Sequence, residues 1–264
     1  MAVPEAVWDR VATGDPAGPV AVGGDLDVPT LLDAYRHGVF PWPPGNPREA
    51  ADLHDRFGQA VTNGSIVNLD PARPPTLDLP WWSPDPRCVI RIGGLHLSRS
   101  LRSLLGSCGW TTTLDGCFGE VVRRCAEGRE SAWISPPVLH AYVELHEHGA
   151  ARSLEVWAGG ELVGGVYGLL VGGVFMAESM FHRRSNASKV ALADLADRLA
   201  AAGAVLIDTQ FPTAHLRSLG AVELPREEFL AAVTGLRDRQ LRLEPARLPV
   251  DRLVRADGPA IRPA

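Results

Sequence analysis

The stretch that most constrains the fold runs from Ser153 to Met180, where two of three Gly-Gly pairs separate three apolar segments. These pairs are Gly159-Gly160 and Gly172-Gly173. Two-residue glycine turns are typical of tight β-hairpins, because glycine adopts the positive φ angles that such turns require. The sequence therefore predicts three consecutive antiparallel strands.

Helical patterns lie on both sides of these strands. The segment FGEVVRRCA places its apolar residues at i, i+3, i+4 and i+7, and SPPVLHAYVELHEHG begins with prolines and ends at Gly149. After the strands, NASKVALADLADRLAAAG predicts a helix that Gly203 ends, and AVLIDTQF predicts a buried strand. With a strand at CVIRI and helices at SRSLRSLL and EEFLAAVTGLRDRQL, this order predicts an α+β fold with a mixed, largely antiparallel sheet.

The first ninety residues are less regular. The segment DVPTLLDAYRHG predicts a short helix that Thr30 caps and Gly38 ends. The stretch from Pro44 to Leu79 is rich in Pro, Gly and Asn, and we predict a long loop or insertion there. We expect a small N-terminal domain over 1–90 with this loop at about 44–79, a second domain over 91–240, and a poorly ordered Arg/Pro-rich tail over 241–264.

Composition excludes several classes of protein. Hydrophobic residues make up 45% and the net charge is −5, so the chain is neither disordered nor strongly basic. The four cysteines contain no C-x-x-C pair, which argues against a zinc ribbon. The longest apolar run, 162–177, is interrupted by five glycines and is too short to span a membrane. With no signal peptide evident, we expect a cytoplasmic protein.

The strand AVLIDTQF carries two polar residues. Because side chains alternate along a strand, we expect Asp208 and Gln210 to point to the same face. Polar groups in a buried strand need hydrogen-bond partners. Two interpretations remain open: a structural hydrogen-bond network, or a carboxylate–amide pair that assists proton removal at a site.

The segment MAESMF ends another predicted strand. Its Glu178 is either a solvent-facing acid or an acid at a site. The neighbouring Met176, Met180 and Phe181 are either ordinary core or the lining of a pocket, since methionine adapts its shape to varied apolar groups.

The segment 87–114 is basic, with no acidic residue. Its cations form either a phosphate-binding patch or a solvated face: Arg87, Arg91, His96, Arg99 and Arg102. Trp42 and Trp133 lie in loop-like contexts, where an exposed indole can stack on a nucleic-acid base. His140, His146 and His148 fall on different helix faces, so we expect no metal there. The chain contains no G-x-x-x-x-G-K-[ST], G-x-G-x-x-G or G-x-S-x-G motif.

Seven short motifs occur in a characteristic order. They are VGGDL, FPW after Gly38, WWSPDPR, LHLSRS, ESMF, NASK and LIDTQF. Together they closely resemble the bacterial leucyl/phenylalanyl-tRNA–protein transferase family over roughly residues 20 to 235. The resemblance implies a small N-terminal domain and a larger domain with the acetyltransferase-like (GNAT) fold.

The resemblance also implies an activity. It is the transfer of Leu or Phe, and less well Met, from aminoacyl-tRNA to the N-terminal Arg or Lys of a protein, which marks that protein for degradation by the N-degron pathway. Because the donor is an activated ester, no cofactor, ATP or metal is expected. The expected partners are aminoacyl-tRNA and the acceptor proteins, with no membrane, and we expect a monomer.

The resemblance implies roles for individual residues. Asp208 and Gln210 match the family's catalytic pair, and Glu178 matches an acid near the reacting groups. The other matches are the adenine-holding Trp42 and Trp133, the donor-pocket residues Met180, Ile207, Phe175 and Val166, and the tRNA-binding Arg99 and Arg102, with Arg87 and Arg91 on the same basic segment.

The chain departs from the family pattern in three respects. The stretch 44–79 is longer than the usual link between FPW and WWSPDPR. Val166 and Leu195 stand where a better-known member has Met and Phe, so we expect a wider pocket. The helix after LHLSRS lacks its common lysines, and each missing phosphate contact should flatten the salt dependence of binding.

Two other functions are weighed against the transferase. A CoA-dependent acetyltransferase would need an R/Q-x-x-G-x-G/A turn whose amides hold a pyrophosphate, and the sequence contains none that we recognise. A non-catalytic tRNA-binding module would bind charged tRNA and form no product.

Overall fold

The computed structural model describes residues 7–8, 14–127 and 133–255. Within them the helices are α1 (Val28–Arg36), α2 (Pro47–Thr62), α3 (Arg99–Ser107), α4 (Phe118–Ala126), α5 (Pro136–Glu147), α6 (Ala187–Ala202), α7 (Ala214–Ser218) and α8 (Arg226–Leu236). A 3₁₀ helix covers Val250–Val254. The strands are β1 (Pro19–Val22), β2 (Phe40–Pro41), β3 (Val67–Asn68), β4 (Pro80–Trp82), β5 (Arg87–Arg91), β6 (Thr111–Leu114), β7 (Ala151–Ala158), β8 (Glu161–Val171), β9 (Val174–His182), β10 (Leu206–Gln210), β11 (Val222–Leu224) and β12 (Leu248–Pro249). The predicted α+β class is confirmed.

The strands form two sheets. The smaller has the order β2-β4-β1-β3, and the larger has the order β11-β5-β10-β9-β8-β7-β6-β12. The predicted hairpins are confirmed: β7 joins β8 at Gly159-Gly160, both with positive φ, and β8 joins β9 at Gly172-Gly173. Only the β9–β10 pair is parallel among the pairings described for the larger sheet, and it brings the strand LIDTQ beside the hairpins.

The described residues divide into two compact units. The first contains the described parts of 1–87, 126–145 and 224–235, and the second contains 88–125, 146–223 and the described part of 236–264. In these units two later segments group with the N-terminal residues. The domain bounds expected from the sequence stay a prediction.

The predicted long loop over 44–79 is wrong in its first half, where α2 forms. Asn46 caps this helix by accepting a hydrogen bond from the Glu49 backbone, and Glu49 accepts one from the Asn46 side chain. Its apolar face is narrow, since Phe57 and Val61 are its buried residues. A short apolar stripe gives weak periodicity, but a capping box and Pro47 at the helix start are sufficient signals.

Two further expectations about helix ends and the tail need correction. Asp27, not Thr30, caps α1, because its carboxylate accepts a hydrogen bond from the Thr30 backbone N–H at 2.8 Å.

The tail expected to be poorly ordered from residue 241 instead contains β12 and the 3₁₀ helix. It is held by Arg198, which donates to the Ala246 carbonyl, and by Arg252, which pairs with Asp194. Residues 256–264 lie outside the described part of the chain.

Helix α6 provides most of the packing behind the larger sheet. It packs against β7, β8 and β9, and nearly all its residues are buried. Gly164 on β8 permits this close approach, because a Cβ there would lie 2.7 Å from the Ala187 Cβ. Gly203 ends the helix in the left-handed conformation, as predicted. No helix in the described ranges is both long and apolar enough to cross a membrane.

Candidate functional site

Two β-bulges interrupt adjacent strands of the larger sheet. In β10, Asp208 pairs with Val89 and Gln210 with Cys88, so Thr209 is an extra residue. In β9, Ser179 pairs with Tyr167 and Ala177 with Gly168, so Glu178 is an extra residue. A bulge bends its strand and redirects side chains, and bulges are frequent beside active sites.

A cavity lies next to these bulges. The parallel pairing of β9 with β10 has its last described pair at Asp208 and Met176, whereas β9 continues to His182. The cavity has a volume of about 100 Å³. It is lined by Val166, Ala177, Glu178, Ser179, Met180, Leu192, Thr209, Gln210 and Leu216.

The backbone at Gln210 explains how consecutive residues of β10 reach the cavity. Gln210 has a φ of 56°, which lies in the left-handed region, and its backbone N–H donates to Asp208 Oδ1 at 3.0 Å. Regular alternation therefore ends at Asp208, and both Thr209 and Gln210 line the cavity. The expectation that the side chains of Asp208 and Gln210 point to the same face of a regular strand is wrong. The two residues are linked instead by the hydrogen bond from the Gln210 backbone N–H to the Asp208 carboxylate.

The polar end of the cavity is formed by one residue from each bulge. Gln210 Nε2 donates to Glu178 Oε1 at 3.4 Å, a long hydrogen bond. Thr209 Oγ1 donates to the Cys88 carbonyl at 3.1 Å, which holds its hydroxyl against β5. The site thus combines an apolar chamber with a carboxylate and an amide, a combination that can hold an apolar side chain beside a reacting polar group.

The structure brings together some of the predicted pocket residues and not others. Val166 and Met180 line the cavity, as expected. Phe175 and Ile207 are completely buried core residues that face each other across β9 and β10, and they are not among the lining residues. Sequence reasoning missed five lining residues: Ala177, Ser179, Leu192, Thr209 and Leu216.

Signals for the missed residues are weak in the sequence. Leu192 lies in the predicted helix NASKVALADLADRLAAAG, but helical periodicity does not distinguish a core residue from a residue of a cavity wall. Ala177, Ser179 and Thr209 reach the cavity because of the bulges, and nothing in a strand pattern identifies a bulge without a glycine.

Arg87 does not belong to the expected basic surface. This side chain is completely buried, its guanidinium lies over the rings of Phe40 and Phe229, and it donates to the Gly38 carbonyl at 3.1 Å. It therefore stabilises the first unit and cannot contact RNA from this position. The sequence could have indicated that Arg87 is buried, because Arg87 begins a strand and alternate residues of a strand face inward.

The other predicted tRNA-binding arginines are more accessible. Arg91 and Arg99 are exposed, and Arg102 is half-buried, with its Nε donating to the Leu97 carbonyl at 3.1 Å. Trp42 is 38% exposed, whereas Trp133 is 8% exposed. The roles assigned to these residues stay predictions. Among the described residues, no group of three or more His, Cys, Asp or Glu side chains could hold a metal ion.

Comparisons with known proteins indicate the same family as the seven sequence motifs. A family model described as leucyl/phenylalanyl-tRNA protein transferase matches residues 89–234, and a model of the N-terminal domain of the same transferase matches residues 24–48. A protein of this name from Shewanella halifaxensis is 42% identical over 236 residues, covering 88% of this chain and 87% of its own.

Other relatives give the same result. A protein from Azotobacter vinelandii with this name is 44% identical, covering 83% of this chain and 84% of its own. One from Thiobacillus denitrificans is 43% identical, covering 86% and 88%. The chain therefore belongs to the leucyl/phenylalanyl-tRNA–protein transferase family of aminoacyltransferases.

Proposed function

We propose that this protein transfers leucine or phenylalanine, and less efficiently methionine, from aminoacyl-tRNA to the N-terminal Arg or Lys of acceptor proteins. The transfer marks those proteins for degradation by the N-degron pathway. The observation that carries the proposal is the apolar cavity with Glu178 and Gln210 at its polar end. We infer that the reaction takes place in the cytoplasm and that the enzyme acts as a monomer.

The cavity is suited to the side chain of the donor amino acid. Apart from its polar residues, its walls are aliphatic or thioether groups, and full burial of a leucine side chain contributes about 1.5–3 kcal/mol.

The polar residues then act on the reacting groups. Glu178 accepts a hydrogen bond from the α-ammonium of the donor, which fixes the ester carbonyl beside Gln210. The Nε2 of Gln210 points to Glu178, so its Oε1 is turned away from that carboxylate and accepts a hydrogen bond from the attacking α-amine. This arrangement orients the amine, and orientation is a large part of catalysis in acyl transfer.

The acyl-transfer step needs no cofactor. The amine nitrogen forms a bond to the ester carbonyl carbon, the bond from that carbon to the ribose oxygen breaks, and a proton passes from the nitrogen to the departing oxygen. Positive charge develops on the nitrogen during attack. Asp208 lies directly behind Gln210 and stabilises this charge, because a carboxylate in a water-excluded site acts strongly on nearby charge.

Mass spectrometry of two peptides tests the proposal. A peptide beginning with Arg and a matched peptide beginning with Ala are incubated with the protein and Leu-tRNA, and separately with Phe-tRNA and Met-tRNA. We expect the Arg peptide alone to gain one residue from Leu-tRNA and from Phe-tRNA, with a smaller gain from Met-tRNA. No gain on the Arg peptide with any donor would overturn the proposed activity.

The degradation role needs its own measurement. A reporter protein with N-terminal Arg is expressed in cells with and without the enzyme, beside a reporter with N-terminal Ala. We expect the enzyme to shorten the half-life of the Arg reporter only. Equal half-lives with and without the enzyme would remove the N-degron part of the proposal.

A further inference from the structure

A cluster of basic side chains lies beside the cavity, starting with His182 and Lys189. His182 is two residues after Met180 on β9, so the two share a face of the strand. Lys189 is in the first turn of α6, three residues before Leu192, so these two share a face of the helix. Met180 and Leu192 both line the cavity.

His215 brings a third element to the same place. It lies on α7 directly before Leu216, which also lines the cavity. Partial burial lowers the pKa of His215, and the nearby charges of Lys189 and His182 lower this pKa further. His215 is therefore close enough to interact with Lys189 and with His182, although the three groups come from a strand and two helices.

Acidic side chains pair with two of the arginines near this cluster. Arg184 pairs with Glu161 at 2.7 Å, and Arg217 pairs with Glu223 at 2.6 Å. Within the described ranges, the half-buried Lys189 has no ion pair. It is also the single lysine among the 26 lysine and arginine residues of the chain. Its ammonium is a compact positive charge with three N–H donors, which can bind a phosphate oxygen.

We propose that His182, Lys189 and His215 form an anion subsite that binds a backbone phosphate of the 3′-terminal nucleotides of the donor. This inference rests on the proposed function, since a side chain in the cavity places the esterified ribose, and the phosphate attached to it, at the cavity rim. Lys189 supplies the positive charge and the two imidazoles supply N–H donors. The arginines of the basic segment take no part in this subsite.

Donors with and without the phosphate test the subsite. The wild type and Lys189→Met are assayed with 3′-O-leucyl-adenosine, with its 5′-monophosphate and with Leu-tRNA, all with the Arg peptide as acceptor. We expect Lys189→Met to raise KM about tenfold for the two phosphate-bearing donors and less than twofold for leucyl-adenosine. We also expect it to reduce the slope of log KM against log salt by about 0.7 for Leu-tRNA.

Two further variants separate this role from a structural one. Arg184→Met removes a neighbouring charge that Glu161 already neutralises, and we expect KM to change less than twofold for every donor. Lys189→Arg retains the charge and should recover at least part of the lost affinity. An equal effect of Lys189→Met on all three donors, or no effect on any, would overturn the subsite.

A binding measurement decides the case if the wild type transfers from no donor. Calorimetry then compares AMP with adenosine, using the wild type and Lys189→Met. The subsite requires that the wild type bind AMP more tightly than adenosine and that Lys189→Met abolish the difference. Equal affinity of the wild type for both probes would overturn the subsite, whereas absence of transfer alone overturns only the proposed function.

Discussion

Two buried carboxylates of the larger sheet, Glu155 and Asp208, have very different surroundings. Both are completely buried. Glu155 on β7 accepts hydrogen bonds from Ser153 Oγ at 2.6 Å, from Thr113 Oγ1 at 2.5 Å and from the Gly116 backbone at 3.1 Å. Asp208 accepts from the backbone of Gln210, whose side chain lines the cavity.

The difference lies in the backbone around each carboxylate. Glu155 has regular partners on both sides, Thr113 and Gly165, and its oxygens close a hydrogen-bond network. Asp208 directly precedes a bulge and a left-handed residue. Burial and hydrogen bonding of an acid therefore do not identify a site by themselves, and the irregular strand beside a cavity is what distinguishes Asp208 from Glu155.

Removing the charge of Asp208 should have the largest effect on transfer. In Asp208→Asn the oxygen that accepts from Gln210 is kept, so we expect the fold to survive while the rate of Leu transfer falls about a hundredfold or more. The rate is measured with the Arg peptide, and stability by urea unfolding. Glu155→Gln is the matched control, and its rate should stay within about threefold of the wild type. A wild-type rate for Asp208→Asn would show that the charge has no role.

Gln210→Gly should come next in size. The substitution removes the side-chain amide. Glycine adopts the φ of 56° at this position without strain, whereas this conformation costs a non-glycine residue about 1–2 kcal/mol. We expect transfer to fall at least about tenfold and the free energy of unfolding to stay level or rise by up to about 1 kcal/mol. Asn186→Gly, at a φ of 66°, makes the same backbone change as a control and should retain activity. Loss of both stability and activity in Gln210→Gly would indicate a structural role.

Val166→Met should change selectivity more than rate. The added atoms reduce a cavity of about 100 Å³, so we expect Phe transfer to fall about tenfold and Leu transfer about threefold. Competition between Leu-tRNA and Phe-tRNA measures the ratio. Leu170→Met, on the same strand at a residue that does not line the cavity, serves as the control. An unchanged ratio would mean that Val166 does not contact the donor side chain.

Glu155→Gln should leave transfer almost unchanged but alter the pH dependence of stability. Burial raises the pKa of Glu155 above the ordinary value of 4.5, so the folded protein holds this proton more tightly than the unfolded chain does. This contribution to stability is complete below pH 4.5 and is lost as pH rises through the folded-state pKa.

Urea unfolding of both proteins at several pH values from 4.5 upward checks this prediction. The difference in unfolding free energy should shift in favour of Glu155→Gln as pH rises, because the variant has no carboxyl group to titrate there. A difference that does not vary with pH would show that Glu155 has the same pKa in both states.

Parts of the site were predictable because they depend on residue type and local order. Glu178, Gln210, Met180 and Val166 came from motifs and strand patterns, and all four line the cavity. The resemblance implies a place for Ile207 in the pocket, yet Ile207 packs in the core and is not among the lining residues. A motif records sequence neighbours, whereas a cavity depends on the side of the strand from which each side chain projects.

Local chemistry in the sequence determined the hairpins, most helix ends and the family, because glycine turns, caps and apolar periodicity act over a few residues. Tertiary structure alone decided that Arg87 is buried between Phe40 and Phe229, and that β9 and β10 separate beyond Asp208. It also decided that Glu155 is enclosed while Gln210 lines a cavity. The physical reason is that burial, strand separation and cavity shape depend on residues distant in the chain, which no local pattern of sequence contains.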